Sequence, residues 1–72
     1  MQQETARFII ASMYESISGR LSREKSSPSP DMEKIRSWKR QLEMLANCRD
    51  HIDTPQVLQK IERVYSKFLK NS

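Results

Sequence analysis

Two short breaks divide this chain into three helical stripes, and that division limits what it can fold into. The first break is Ser26-Ser27-Pro28-Ser29-Pro30 and the second is Asp53-Thr54-Pro55. Before the first break, Ala6, Ile10, Met13 or Tyr14, Ile17 and Leu21 recur at steps of three and four, which places them on one helical face. Between the breaks, Ile35, Trp38, Leu42, Leu45 and Ile52 follow heptad-like steps, with Arg49 in the one missing seam position. After the second break, Val57 or Leu58, Ile61, Val64 or Tyr65, and Phe68 repeat the pattern, with an end at Asn71-Ser72. No segment alternates with the period of two that a half-buried strand requires. The expectation is an all-α fold: a helical hairpin plus a third short helix, with helices at about residues 3–24, 30–52 and 55–70.

The breaks carry their own start signals. Ser29-Pro30 reads as an N-cap followed by proline at the first helical position, where no amide donor is needed. Asp31 and Glu33 then fall in the first turn, where negative charge suits the positive end of the helix dipole. Thr54-Pro55 repeats the pattern for the third helix, with Thr54 as its cap. Gly19 lies inside the first stripe, where glycine costs about 1 kcal/mol relative to alanine. The expected compensation is the close approach of a neighbouring backbone.

A chain of 72 residues makes one domain, 1–72, and hides only about 60% of its unfolded surface on folding. Its single cysteine provides no internal disulfide and suits a reducing compartment. Phe8-Ile9-Ile10-Ala11 is too short for a signal-peptide core, and Glu4 stands where positive charge is expected. No stretch approaches the roughly 20 apolar residues that span a bilayer. The expected location is cytoplasmic, without membrane insertion. The chain, which opens on Met and closes after its last stripe, reads as a complete small protein.

Chemistry is hard to build from these residues. Cys48 and His51 are three apart, but a catalytic pair needs a third orienting group and a structural zinc site needs four ligands. The plainer reading makes Cys48 an apolar filler and His51 a helix-end residue. With a single glycine there is no phosphate-cradling loop. The expectation is a protein that is not an enzyme, with no catalytic, cofactor-binding or metal-binding residues.

Charge suggests a second kind of surface. The net charge is +4, from 13 basic and 9 acidic residues. Lys60, Arg63, Lys67 and Lys70 fall on one face of the third stripe, opposite its apolar side. This is either a solvated face with cations well placed for the helix end, or a groove for phosphate or acidic protein. Tyr65 and Phe68 point to the apolar side, so aromatic interleaving for single-strand stacking is poor. A helix-turn-helix reading would leave only Gln56 and Gln59 to read base edges.

The apolar residues point more strongly to a partner. The first stripe carries Phe8, Ile9, Ile10, Met13, Tyr14 and Ile17, more than one neighbouring helix covers, and a bare strip of this kind marks an interaction surface. Phe8, Ile10, Tyr14, Ile17 and Leu21, with Ile35, Trp38 and Leu45 from the second helix, are the expected partner-binding residues. The partner is a larger helical protein or a second copy of the chain, as a homo-oligomer. The expected role is that of an adaptor, co-chaperone or antitoxin-like inhibitor, and a basic nucleic-acid-binding regulator is the alternative.

The segment Asp31-Met32-Glu33-Lys34-Ile35-Arg36-Ser37-Trp38-Lys39-Arg40 follows a polar break and an amphipathic helix. It resembles the YscE-type co-chaperones of type III secretion, which are small cytoplasmic helical hairpins. In those proteins the second helix opens on an acidic or proline turn, followed by a large apolar residue and another about one turn later, the places of Ile35 and Trp38. Leu45 continues the seam, and the resemblance covers about residues 5–52. It implies a helical-repeat chaperone as partner, with the pair holding a needle subunit soluble until export. It also implies that Ile10, Ile17, Ile35, Trp38 and Leu45 are hairpin or partner contacts. The third helix after Thr54 departs from that pattern, since such hairpins commonly stop sooner.

Overall fold

Asp31, rather than Ser29, starts the second helix. Its carboxylate Oδ1 accepts hydrogen bonds from the amides of Glu33 and Lys34 at 3.0 and 3.3 Å. Two of the donors that a helix start leaves orphaned are thereby satisfied, and by an anion at the positive end of the dipole. Ser29 and Pro30 stay outside as part of the turn, where the Ser29 amide donates to Ser27 Oγ at 3.3 Å. The expected Ser-Pro start therefore moves downstream to Asp31. A carboxylate at the cap position combines hydrogen bonding with charge, and a hydroxyl supplies only the first.

The computed structural model describes residues 1–70. It contains three helices, α1 (Gln3–Lys25), α2 (Met32–Asp50) and α3 (Pro55–Lys70). No strand occurs among the described residues, so the fold is all-α. The third-stripe end expected at Asn71-Ser72 lies outside the described residues. Helix α2 closes at Asp50 and not at Ile52, because the His51 amide turns back to the Cys48 carbonyl at 3.2 Å and its backbone leaves the helical region. Ile52 therefore sits in the turn, yet it is buried. The Thr54 carbonyl accepts from the amides of Val57 and Leu58 at 3.0 and 3.1 Å, which opens α3 where expected.

Helix α1 is the central element. It packs extensively on α2 and to a smaller extent on α3, while α2 and α3 scarcely meet. This arrangement explains the two-sided apolar character of α1. Ile10 and its neighbour Ile9 are both buried, as are Ala6, Met13 and Ile17. With Leu45, Cys48, Ile52 and Ile61 they form the core. The apolar surplus expected to need an outside partner is thus largely consumed inside the fold, because α1 has a helix on each of two sides. What remains outside is Phe8, which points away from both, and Tyr14 at the flank.

Cys48 also replaces the expected seam. It is buried in the core, whereas the neighbouring Arg49 is exposed. A drift of this kind follows from the helical period of 3.6, which does not hold a heptad register over successive turns.

Helix lengths shape the rest. At about 1.5 Å per residue, α1 is about 35 Å long and α3 about 24 Å, within a body 42 × 23 × 16 Å. The middle of α3 lies beside the start of the chain, where the N-terminal ammonium of Met1 pairs with Glu62 at 3.1 Å. Helix α3 is too short to follow α1 to its far end. Leu21 and Ile35, near the α1–α2 turn, are buried but stand apart from the main core cluster.

Gly19 does not serve a close helix approach. A Cβ built there meets no atom within 4 Å, and its backbone φ is not positive. Gly19→Ala is therefore expected to stabilise the protein by about 0.5–1 kcal/mol, read as a higher midpoint in urea. Asp31→Ala is expected to cost about 1 kcal/mol, and Ser29→Ala close to nothing. Equal effects of the two substitutions would refute the assignment of the cap.

Candidate functional site: an open groove between helices two and three

Because α2 and α3 diverge over α1, the fold leaves a groove of about 420 Å³. Its floor comes from all three helices. Met13 and Ile17 rise from α1, Trp38, Met44 and Leu45 enter from α2, and Val64 and Phe68 come from α3. Two of these, Leu45 and Met13, are each only 1% exposed, so the floor is continuous with the core. Trp38, Met44, Val64 and Phe68 are half-buried. An apolar surface of large, adaptable side chains, one of them tryptophan, has the composition of a protein-binding site.

The rim is cationic. Arg20 of α1 and Lys67 of α3 line the groove, the other polar lining residue is Gln41, and no carboxylate lines it. The Arg20 guanidinium carbon lies 5.6 Å from the centre of the Phe68 ring. This cation–π contact holds α3 to α1 across the groove wall. Gln41 Nε2 donates to Ser37 Oγ at 3.3 Å, one turn earlier on α2. Beyond the groove, Trp38 and Arg20 also edge a small recess with Arg23 and Glu24.

The four expected cations of α3, Lys60, Arg63, Lys67 and Lys70, are all exposed and line one shallow recess with Val64 and Ser66. Lys67 and Val64 belong to both surfaces, so the basic face runs into the groove rim. The one acidic residue of α3, Glu62, pairs with the Met1 ammonium and lines neither surface.

The expected partner residues separate into three sets. Ile10, Leu21 and Ile35 are spent on intramolecular packing. Their burial means that a partner cannot reach them without opening the hairpin. Ile17 and Leu45 are also buried but form groove floor, and Trp38 is half-buried beside them. Phe8, 74% exposed, and Tyr14, 38% exposed, lie on α1 and are not among the residues that line the groove. The groove residues missed from the sequence are Met13, Arg20, Gln41, Met44, Val64, Lys67 and Phe68 as a set. Lys67 was singled out only as part of the basic face. No single-helix pattern reveals a surface that exists only where two helices diverge.

Cys48 is buried, and His51 is exposed at the helix end, so the two do not share a surface. Among the described residues no group of three or more His, Cys, Asp or Glu is placed to hold a metal ion. No helix is long and apolar enough to cross a membrane.

The packing difference between Leu45 and Trp38 is measurable. Leu45→Ala is expected to cost about 2–5 kcal/mol, the range for a fully buried leucine. Trp38→Ala is expected to cost less, although it removes more atoms, because part of the ring already faces water. Chemical denaturation of both variants checks the order, and a larger loss at Trp38 would place that ring in the core.

No protein-family model, curated protein or solved structure matches the chain.

Proposed function

We propose that this protein is a small, non-enzymatic interaction module that binds a larger protein through the open groove between α2 and α3. The observation that carries the reading is the half-buried Trp38, set on an apolar floor that the chain's own helices leave uncovered. A tryptophan in such a place packs on the core with one part of its ring and leaves another part to water. It becomes a strong contact once a partner removes its remaining water. The proposed setting is the cytoplasm, where a single unpaired cysteine is stable. The more specific role suggested by the resemblance to YscE-type hairpins is that of a co-chaperone held by a helical-repeat chaperone. In that role the hairpin of α1 and α2 supplies the frame, and Trp38 is a contact residue.

The basic face of α3 supports the alternative of a nucleic-acid-binding regulator. Salt separates the two. Phosphate binding weakens steeply as counterions are retained at high salt, whereas an apolar interface does not.

Site-specific photo-cross-linking in the native host tests the reading. A cross-linking amino acid at position 41, on the groove, is expected to trap one discrete protein species. The same group at Gln56, exposed on the far end of α3, is expected to trap none. Position 8 reports separately on the outer face of α1. Cross-links from position 41 to nucleic acid, or none from either position 41 or position 8, would refute the proposal. Sedimentation equilibrium of the isolated protein decides whether the trapped species is a second copy.

A further inference from the structure

We infer that the groove receives a single amphipathic α-helix whose apolar stripe is flanked by acidic residues, supplied by a different protein. This rests on the groove being a docking site and adds the chemistry of its occupant.

The shape of the site selects a helix. All the lining residues belong to helices, whose backbone amides and carbonyls are already paired within their own turns. The groove therefore offers side chains only. An extended peptide laid there would lose water from its backbone without gaining hydrogen bonds, which costs free energy for each buried group. A helix satisfies its own backbone and presents side chains alone, the mode in which apolar residues at i, i+3, i+4 and i+7 enter a groove. The gap has the form of an unfilled place in a bundle. Helix α1 is flanked by α2 and α3, these two scarcely touch, and a fourth helix lying between them over α1 would complete a four-helix packing.

Charge selects the flanks. Arg20, reaching from α1 over the Phe68 ring of α3, and Lys67 of α3 both line the groove, and no carboxylate does. The field continues along α3 through Lys60, Arg63 and Lys70. Two cations beside an apolar floor disfavour a basic occupant. They pair with carboxylates beside the apolar stripe of an acidic one, in surroundings that are partly desolvated and therefore less screened than open surface.

Net charge disfavours a second copy as the natural occupant. None of the three helices carries an excess of acid. Helix α1 has four basic and three acidic residues, α2 five and three, and α3 four and one. The chain as a whole is +4. Each helix of a second copy would bring a net positive charge to a rim that is already cationic.

The chain holds a single tryptophan, so Trp38 fluorescence reports directly on the groove. Two synthetic helices without tryptophan serve as probes, each about 18 residues and so about 27 Å long. Both carry the same leucine stripe, one with glutamate flanks and one with lysine flanks. The glutamate peptide is expected to shift the emission to the blue, saturably, and to bind at least about tenfold more tightly than the lysine peptide, a difference of about 1.4 kcal/mol. Joint substitution Arg20→Glu and Lys67→Glu is expected to reverse the preference. Lys67→Gln alone, which changes only an exposed rim residue, is expected to weaken the glutamate peptide and leave the lysine peptide no weaker, and it stands in if the double variant loses helicity. Equal affinity for the two peptides overturns the acidic occupant while leaving the groove an apolar docking site. Binding of neither overturns the inference, and cross-linking from position 41 then judges the docking reading separately. A short DNA duplex that perturbs Trp38 more tightly than the glutamate peptide, with steep loss in salt, replaces the protein helix with nucleic acid.

Discussion

The structure depends on one helix being sandwiched. Helix α1 buries Ala6, Ile9, Ile10, Met13, Ile17 and Leu21, more than half of the buried apolar residues among those described. The other two helices reach each other mainly through it. Helix α3 contributes a single buried residue, Ile61, and its other apolar residues lean on the core from the edge. Without α1 there would be little for α2 and α3 to share, and the single cysteine, Cys48, provides no internal disulfide to tie them.

The same constraint produces the groove. Two helices that each pack on a third, without packing on one another, leave a channel between them. That channel is apolar because its floor is the upper surface of the core. Its cations have two origins. Arg20 is on the helix that forms the base and reaches across to Phe68. Lys67 belongs to the basic side of α3, which turns away from the core and so borders the opening. Hence the site combines a hydrophobic floor with a positive rim without requiring any residue to be placed unfavourably. No buried polar side-chain atom among the described residues lacks a hydrogen-bond partner.

How much of this could be read in advance varies with the element. Helix α3 was legible at its start, because Thr54-Pro55 leaves little choice and the amphipathic pattern that follows is strong. The start of α2 was misread by two residues. Ser29, Pro30 and Asp31 are all plausible start residues, and only the hydrogen bonds to Glu33 and Lys34 choose among them. The surplus on α1 was visible in the sequence, but most of it, Ile9, Ile10, Met13 and Ile17, is covered within the chain, while Phe8 and Tyr14 stay outside. Apolar residues on two sides of a helix require two neighbours, and the pattern does not say whether those neighbours belong to the same chain. Gly19 gave a false cue, since its position suggested close packing where there is open space.

The sequence by itself determined that the chain is helical, where it turns, and which residues are apolar enough to build a core, since these follow from spacing, capping chemistry and composition acting over a few residues. It also put four cations on one side of α3. Only the tertiary structure decided that α1 lies at the centre, that Ile9 and Ile10 are both covered, and that Trp38 is left half in water beside Arg20 and Lys67. Those outcomes depend on how far two helices diverge over a third. Divergence is settled by side-chain packing between residues more than forty positions apart, such as Arg20 and Phe68, and no local pattern along the chain records it.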